Sequence, residues 1–181
     1  MERRQIRFAE TQYFRQLWLW VVMIGATIVV AGPLLYGVYV QLVLGRPWGD
    51  RPMSDTWLVI TAALTSLLML ALLALFRGTN LRTEVRDDGL YVRFFPFHLS
   101  FHRLPLAEVS KVEVVTYNAL MEYGGWGIRY MPPSGGKAYN VSGNRGVKLT
   151  YHKGNHLLIG SQHADQLAAA IEAIREEGGG K

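Results

Sequence analysis

The chain has 181 residues, half of them apolar and only 18% charged, with no cysteine and a formal net charge of +5. Soluble domains average about 25% charged residues, and the shortfall here falls in two charge-free stretches, 17–44 and 57–76. This composition excludes a wholly soluble chain, a disordered one, a disulfide framework, thiol catalysis and cysteine-ligated metal or iron–sulfur centres.

Taken in order, residues 5–16 place Ile6, Ala9, Tyr13 and Leu17 at helical spacing, which predicts an amphipathic lead-in helix lying at the headgroups. The first apolar stretch would be roughly 42 Å long as one helix, longer than a bilayer core, so it tilts, kinks or projects. Gly32-Pro33 offers the kink, and Gly25, Ala26, Gly32 and Gly37 offer a small-residue face for a second helix. The run extends to Leu44, past the ~7–15-residue core of a signal peptide, so a retained helix is expected. The second stretch spans roughly 30 Å, the hydrocarbon thickness, and is rich in leucine. Arg3, Arg4, Arg7 and Arg15 precede the first stretch, and Arg77, Arg82 and Arg86 follow the second. The intervening loop balances Arg46 and Arg51 with Asp50 and Asp55. The positive-inside rule then puts both termini in the cytoplasm of a multi-pass inner-membrane protein.

From Asn80 the periodicity becomes two. Leu81, Thr83 and Val85 alternate with Arg82, Glu84 and Arg86, Asp87-Asp88-Gly89 signals a hairpin, and Leu90, Val92 and Phe94 continue the pattern. Phe97, Leu99 and Phe101 predict a further strand beyond Pro96, and Val109, Val112 and Val114 another. More strands are expected at 127–131, 137–141, 146–152 and 156–159, separated by turn formers, Pro132–Gly136 among them. Ser161 is a good N-cap, and Leu167, Ala168, Ile171 and Ile174 form one apolar helical face that frays near Glu176-Glu177. The expected architecture is a membrane α-helical hairpin with an α+β cytoplasmic domain: about seven antiparallel strands in a partly open barrel, capped by one C-terminal helix. Residues 1–79 form the lead-in and spans, 80–176 the domain and 177–181 a disordered tail.

Strand count, turn spacing and the terminal helix resemble the pleckstrin-homology (PH) fold. The whole chain resembles an uncharacterised bacterial family of membrane proteins with two transmembrane helices and a PH-like domain. The resemblance is carried by Phe14-Arg15-Gln16 with Trp18-Leu19-Trp20, by 122–129 and 138–143, and by Leu157–Gln162 leading into the helix. It implies a fold and a membrane location and supplies no reaction.

The remaining chemistry is sparse. His98 and His102 lie about 13 Å apart if their segment is a strand, which removes a metal reading; His152 and His156 flank a turn. Neither Gly124–Gly127 nor Ser134–Lys137 matches a nucleotide-binding loop, and no catalytic carboxylate pair or nucleophile elbow is evident. No cofactor is expected. From Arg77 onward 13 Lys and Arg face 10 Asp and Glu with no basic run, so nucleic acid is not an expected partner. The two aspartates at the first hairpin tip would repel a phosphorylated headgroup, so phosphoinositide is not expected either. The expected partners are the lipid bilayer and a protein. Tyr123, Trp126, Arg129 and Arg145 are the candidate contact residues, because aromatics beside Gly124-Gly125 suit a binding loop. The alternative for Trp126 is a core position at a strand start. The expected function is a non-enzymatic binding or scaffolding module held at the membrane, the alternative an accessory subunit of a larger transporter or envelope complex.

Overall fold

The computed structural model describes residues 5–131 and 136–179. The Pro132–Gly135 part of an expected turn and residues 180–181 of the expected tail lie outside the described residues. The chain divides into two compact units. One is Arg15–Arg77; the other joins the residues up to Phe14 to those from Gly78 onward.

The first unit holds the apolar helices. Helix α1 (Leu17–Val38) continues through Pro33 and passes into a π-helical turn, Tyr39–Val43. Helix α2 spans Asp55–Gly78. Both are long and apolar enough to cross a membrane, with mean hydropathies of 2.1 and 2.6. Gly37, expected to admit the second helix, instead receives the Trp48 ring, which approaches to 2.6 Å of where a Cβ would stand. Gly25 has no neighbour within 4 Å of that point. Gln41 of the π-helical turn donates to the Met53 carbonyl and to Asp55, tying the interhelical segment to the start of α2.

The second unit is α+β. A four-stranded antiparallel sheet has the order β1 (Ile6–Tyr13), β2 (Asn80–Arg86), β3 (Gly89–Phe95), β4 (His102–Leu104). Its first member corrects the sequence reading: residues 6–13 are a strand, not an amphipathic helix, and they belong with the domain that resumes at residue 78. The inward positions of β1 are Phe8, Glu10 and Gln12, two of them polar, so hydrophobic periodicity did not reveal the strand. Both polar side chains find partners across the fold. Buried Gln12 donates to the Gly160 carbonyl at 2.7 Å. Glu10 accepts from the Ser161 hydroxyl at 2.5 Å and the Gln162 N–H at 2.8 Å.

The second sheet has five strands in the order β5 (Val109–Thr116), β8 (Arg145–Tyr151), β9 (His156–Gly160), β7 (Gly136–Asn140), β6 (Gly127–Met131). Among the described residues there are nine strands in two sheets, eight of them from residue 80 onward, where about seven in a partly open barrel were expected. The strands are also not all antiparallel. The β8–β9 hairpin lays β9 beside β7 in parallel register, Ala138 opposite Leu158. Helix α4 (Ala164–Gly179) covers the core with Leu167, Ile171 and Ile174 against Val85, Phe94, Leu149 and Ile159. It continues past Glu177, whose carboxylate accepts from Arg7 of β1 at 2.6 and 2.7 Å. Residues 177–179 are thus helix, not tail.

The expected strand at 97–101 is a turn. The His98 N–H closes it by donating to the Phe94 carbonyl at 2.8 Å, and only His102–Leu104 pairs with β3. Phe97 and Leu99, read as a buried face, are 69% and 80% exposed. The same turn brings the His98 and His102 rings to 4.1 Å instead of the 13 Å of an extended segment.

Candidate functional site

A groove opens at the Asp87–Gly89 end of the four-stranded sheet. It encloses about 850 Å³ between the β2–β3 turn, the β4–β5 connection, the β8–β9 hairpin and the last turns of α4. Apolar lining comes from Leu104, Leu106, Val109 and Ile174, all part of the main core or packed on it. Charge comes from Asp87, Asp88, Arg103 and Arg175, with His152 at the rim.

These charged groups are held by the fold. Arg175 donates to the Val109 carbonyl at 2.7 Å and to Glu172 at 2.8 Å, so α4 and β5 orient it together. Arg103 donates to the Asp88 carbonyl, and the Asp88 carboxylate accepts from the Tyr91 hydroxyl at 2.7 Å. Tyr91 is buried under the Arg86 guanidinium, 4.4 Å from its ring centre. Asp87 accepts from Arg7 at 2.8 Å and from the Gln5 N–H at 3.0 Å. The Arg7 hydrogen bond, chiefly, holds the Asp87 and Glu177 carboxyls below the usual carboxylate range. The two aspartates, read from the sequence as a bare repulsive tip, are therefore partnered from β1 and β3.

None of the four sequence-selected residues lines this groove. Tyr123 and Trp126 lie in a second, smaller core with Tyr117, Ala119, Ala138 and Leu158. Tyr117 and Tyr123 meet edge to face at 5.5 Å, and burial pushes the Tyr117 hydroxyl up to about 12. The expected loop there contains a one-turn helix, α3 (Ala119–Tyr123). Asn118 caps it by accepting from Leu120 and Met121, and Glu122 accepts from the Asn118 N–H in return. Gly124, at φ 66°, is its left-handed C-cap. Gly125 makes room for Arg129, whose Nη2 stands 2.9 Å from where a Cβ would be. The chain itself thus uses both glycines proposed to admit a partner. Arg145 is exposed and paired with Asp165 at 3.0 Å. The structure brings Tyr123 and Trp126 into one cluster and sets Arg129 beside it; Arg145 is tied to α4 instead.

Sequence reasoning missed the groove because its walls come from four separate segments, none carrying a ligand-binding motif. A partial signal existed: Pro105 and Leu106 between two strand patterns marked a connection with apolar content.

The chain belongs to the Family of unknown function (DUF6141), whose model matches residues 3–175 and so spans both units. No curated protein matches it.

Proposed function

We propose that this is a non-enzymatic integral protein of the bacterial inner membrane. Its PH-like cytoplasmic domain acts as a binding or scaffolding module whose occupant is a protein segment. Membrane anchoring is supported by the two long apolar helices and by the pairing of Tyr13 with Asn80. Strands on either side of the helical insertion are direct neighbours, and two crossings return a chain to the side it left. The basic residues flanking the helices favour the cytoplasm as that side. The PH-like reading is supported by successive strands in two sheets followed by a C-terminal helix packed on the core.

The groove carries the binding-module reading. Its floor is apolar, its rim carries both signs of charge, and the charged groups are oriented by bonds to backbone and to one another. Such a rim recognises a shape and a charge pattern. Arg7 makes Asp87 a weaker base, so this carboxylate suits charge recognition better than proton transfer.

In-cell photocrosslinking of the full chain tests this. A benzophenone amino acid at Ala107, exposed at the groove, should give a discrete protein adduct that Arg103→Glu abolishes by reversing the rim charge. The same probe at Lys111 should give none. Adducts insensitive to Arg103→Glu, or only to lipid, would overturn the groove reading. Anchoring and side are tested separately. An impermeant maleimide applied to intact cells should label Ser54→Cys and spare Lys111→Cys. A second reading, an accessory subunit of a larger membrane assembly, is favoured by how little of the apolar helices is covered: 11% of each window is buried. Groove adducts formed solely with integral proteins would select it.

A further inference from the structure

One rung of the four-stranded sheet joins three points of the chain. Tyr13, the last residue of β1, pairs with Asn80, the first of β2, and Asn80 pairs in turn with Phe95, the last of β3. The exit toward α1, the return from α2 and the start of the β3–β4 turn therefore share one end of the sheet. Aromatic contacts mark the same end. Phe14 meets Phe94 edge-on at 6.5 Å, and Phe94 meets Phe97 at 6.0 Å.

The turn from this rung is built to show apolar groups. In it the half-buried His98 ring lies 4.1 Å from His102 and 5.8 Å from Tyr139. Its neighbours Phe97 and Leu99 are 69% and 80% exposed, beside Phe95 at 38%. A single exposed leucine is ordinary on any protein surface. Three large apolar side chains within five residues, on the rung that carries both connections to the apolar helices, form a patch.

We infer that the Phe95–Leu99 turn is a membrane-contact element: Phe97 and Leu99 enter the interfacial layer of the bilayer and give the domain a third attachment beside its two chain connections. The inference rests on the membrane anchoring proposed above. Lipid is the occupant because the connections are short. Three residues separate β1 from α1 and one separates α2 from β2, no more than about 10 Å of extended chain. Phe and Leu are also the side chains with which interfacial elements enter the acyl boundary. Within the sheet, the seven-residue β2 separates this end from the groove by roughly 20 Å, so contact with lipid at one end leaves the other free to bind.

The test uses the full chain in nanodiscs, exploiting the absence of native cysteine. Leu99→Cys, Leu67→Cys in α2 and Lys111→Cys on β5 each carry an environment-sensitive fluorophore, with lipids bearing quenchers at shallow or deep positions. Leu99 should lose about half its emission to the shallow quencher, as expected for a side chain some 5–10 Å into the interface. Leu67 should be quenched from the deep position and Lys111 by neither. Quenching at Leu67 without quenching at Leu99 would overturn the membrane-contact turn while leaving the anchor intact. Loss of both signals would overturn the anchor itself. A blue-shifted Leu99 probe insensitive to lipid quenchers would mean that protein covers the turn, and would also refute the inference. Phe97→Cys repeats the measurement at a second exposed position.

Discussion

At the Asp87–Gly89 end of the four-stranded sheet the charged side chains are tied to one another and to backbone; at the Phe95 end the outward side chains are apolar. The same strands connect the two ends. The difference lies in the turns: Asp-Asp-Gly is a compact hairpin whose carboxylates reach Arg7 and Tyr91, whereas Phe95–Phe101 reverses through a longer loop that holds a half-buried histidine. A turn's own residues decide what an end of a sheet offers to its surroundings, while the strands beneath supply only position. The charged end is therefore expected to be thermodynamically mild and functionally specific. The apolar end is expected to be the reverse, because its base reaches into the core.

Removing the base of the apolar end should have the largest effect. Phe94 is 2% exposed and touches both Phe14 and Phe97. Phe94→Ala should cost about 3–5 kcal/mol, the usual penalty for emptying a buried aromatic site. Thermal unfolding of the full chain in detergent measures it, and a loss under about 1 kcal/mol would mean that this end does not depend on the core.

Trp126→Ala comes next, and it decides what the smaller core does. Trp126 packs half-buried against Tyr117, Tyr123 and Leu158. A loss of about 2–4 kcal/mol is expected, below the fully buried value. An unchanged melting point together with loss of a bound partner would instead make Trp126 a contact residue.

The third effect is on pH dependence and again separates the two ends. Burial, helped by the nearby His102 and Lys137 charges, holds His98 below its ordinary 6.5. The unfolded chain therefore binds a proton more readily, so the domain should lose stability as pH falls through 6.5 and below. His156, lowered by burial and by Lys148, acts in the same direction. His98→Asn should flatten this slope in melting curves between about pH 7 and pH 5; a steeper slope in the variant would contradict the burial assignment. At the charged end the depressed Asp87 and Glu177 contribute stability present above the ordinary carboxylate range, lost only in more acidic solution.

The smallest effect on stability is expected from Arg7→Ala. Its ion pairs with Asp87 and Glu177 are at the surface, where such pairs contribute little and are screened by salt. At neutral pH the melting point should barely move, while the acid limb from the two carboxylates should disappear. A large neutral-pH loss would show that these pairs, and not the core, hold β1 in the sheet.

Much of the fold could be read from local pattern. The β2–β3 hairpin was legible because strict alternation bracketed Asp-Asp-Gly, and Leu167, Ile171 and Ile174 on α4 are buried where their spacing put them. Strand β1 was not legible because its inward face is polar and stabilised by partners such as Gly160, 148 positions away. The turn at 96–101 was misread for the opposite reason: Phe97, Leu99 and Phe101 imitate a half-buried strand, yet that stretch pairs with no neighbouring strand. Of the residues selected as a site, Tyr123 and Trp126 do share a cluster, since they are close in sequence. Arg145 is exposed and pairs with Asp165.

By itself, the sequence determined the two apolar helices, the change from helical to period-two patterning near residue 80 and the C-terminal amphipathic helix. Each of these follows from side chains within one or two turns of one another. Only the tertiary structure decided that a strand before the helices completes the sheet after them, that β9 lies parallel to β7, and that a groove opens where Asp87, Val109, His152 and Arg175 converge. Those features depend on contacts between residues tens to more than a hundred positions apart, where the bonding of buried polar groups such as Gln12, rather than any local hydrophobic period, selects the partner.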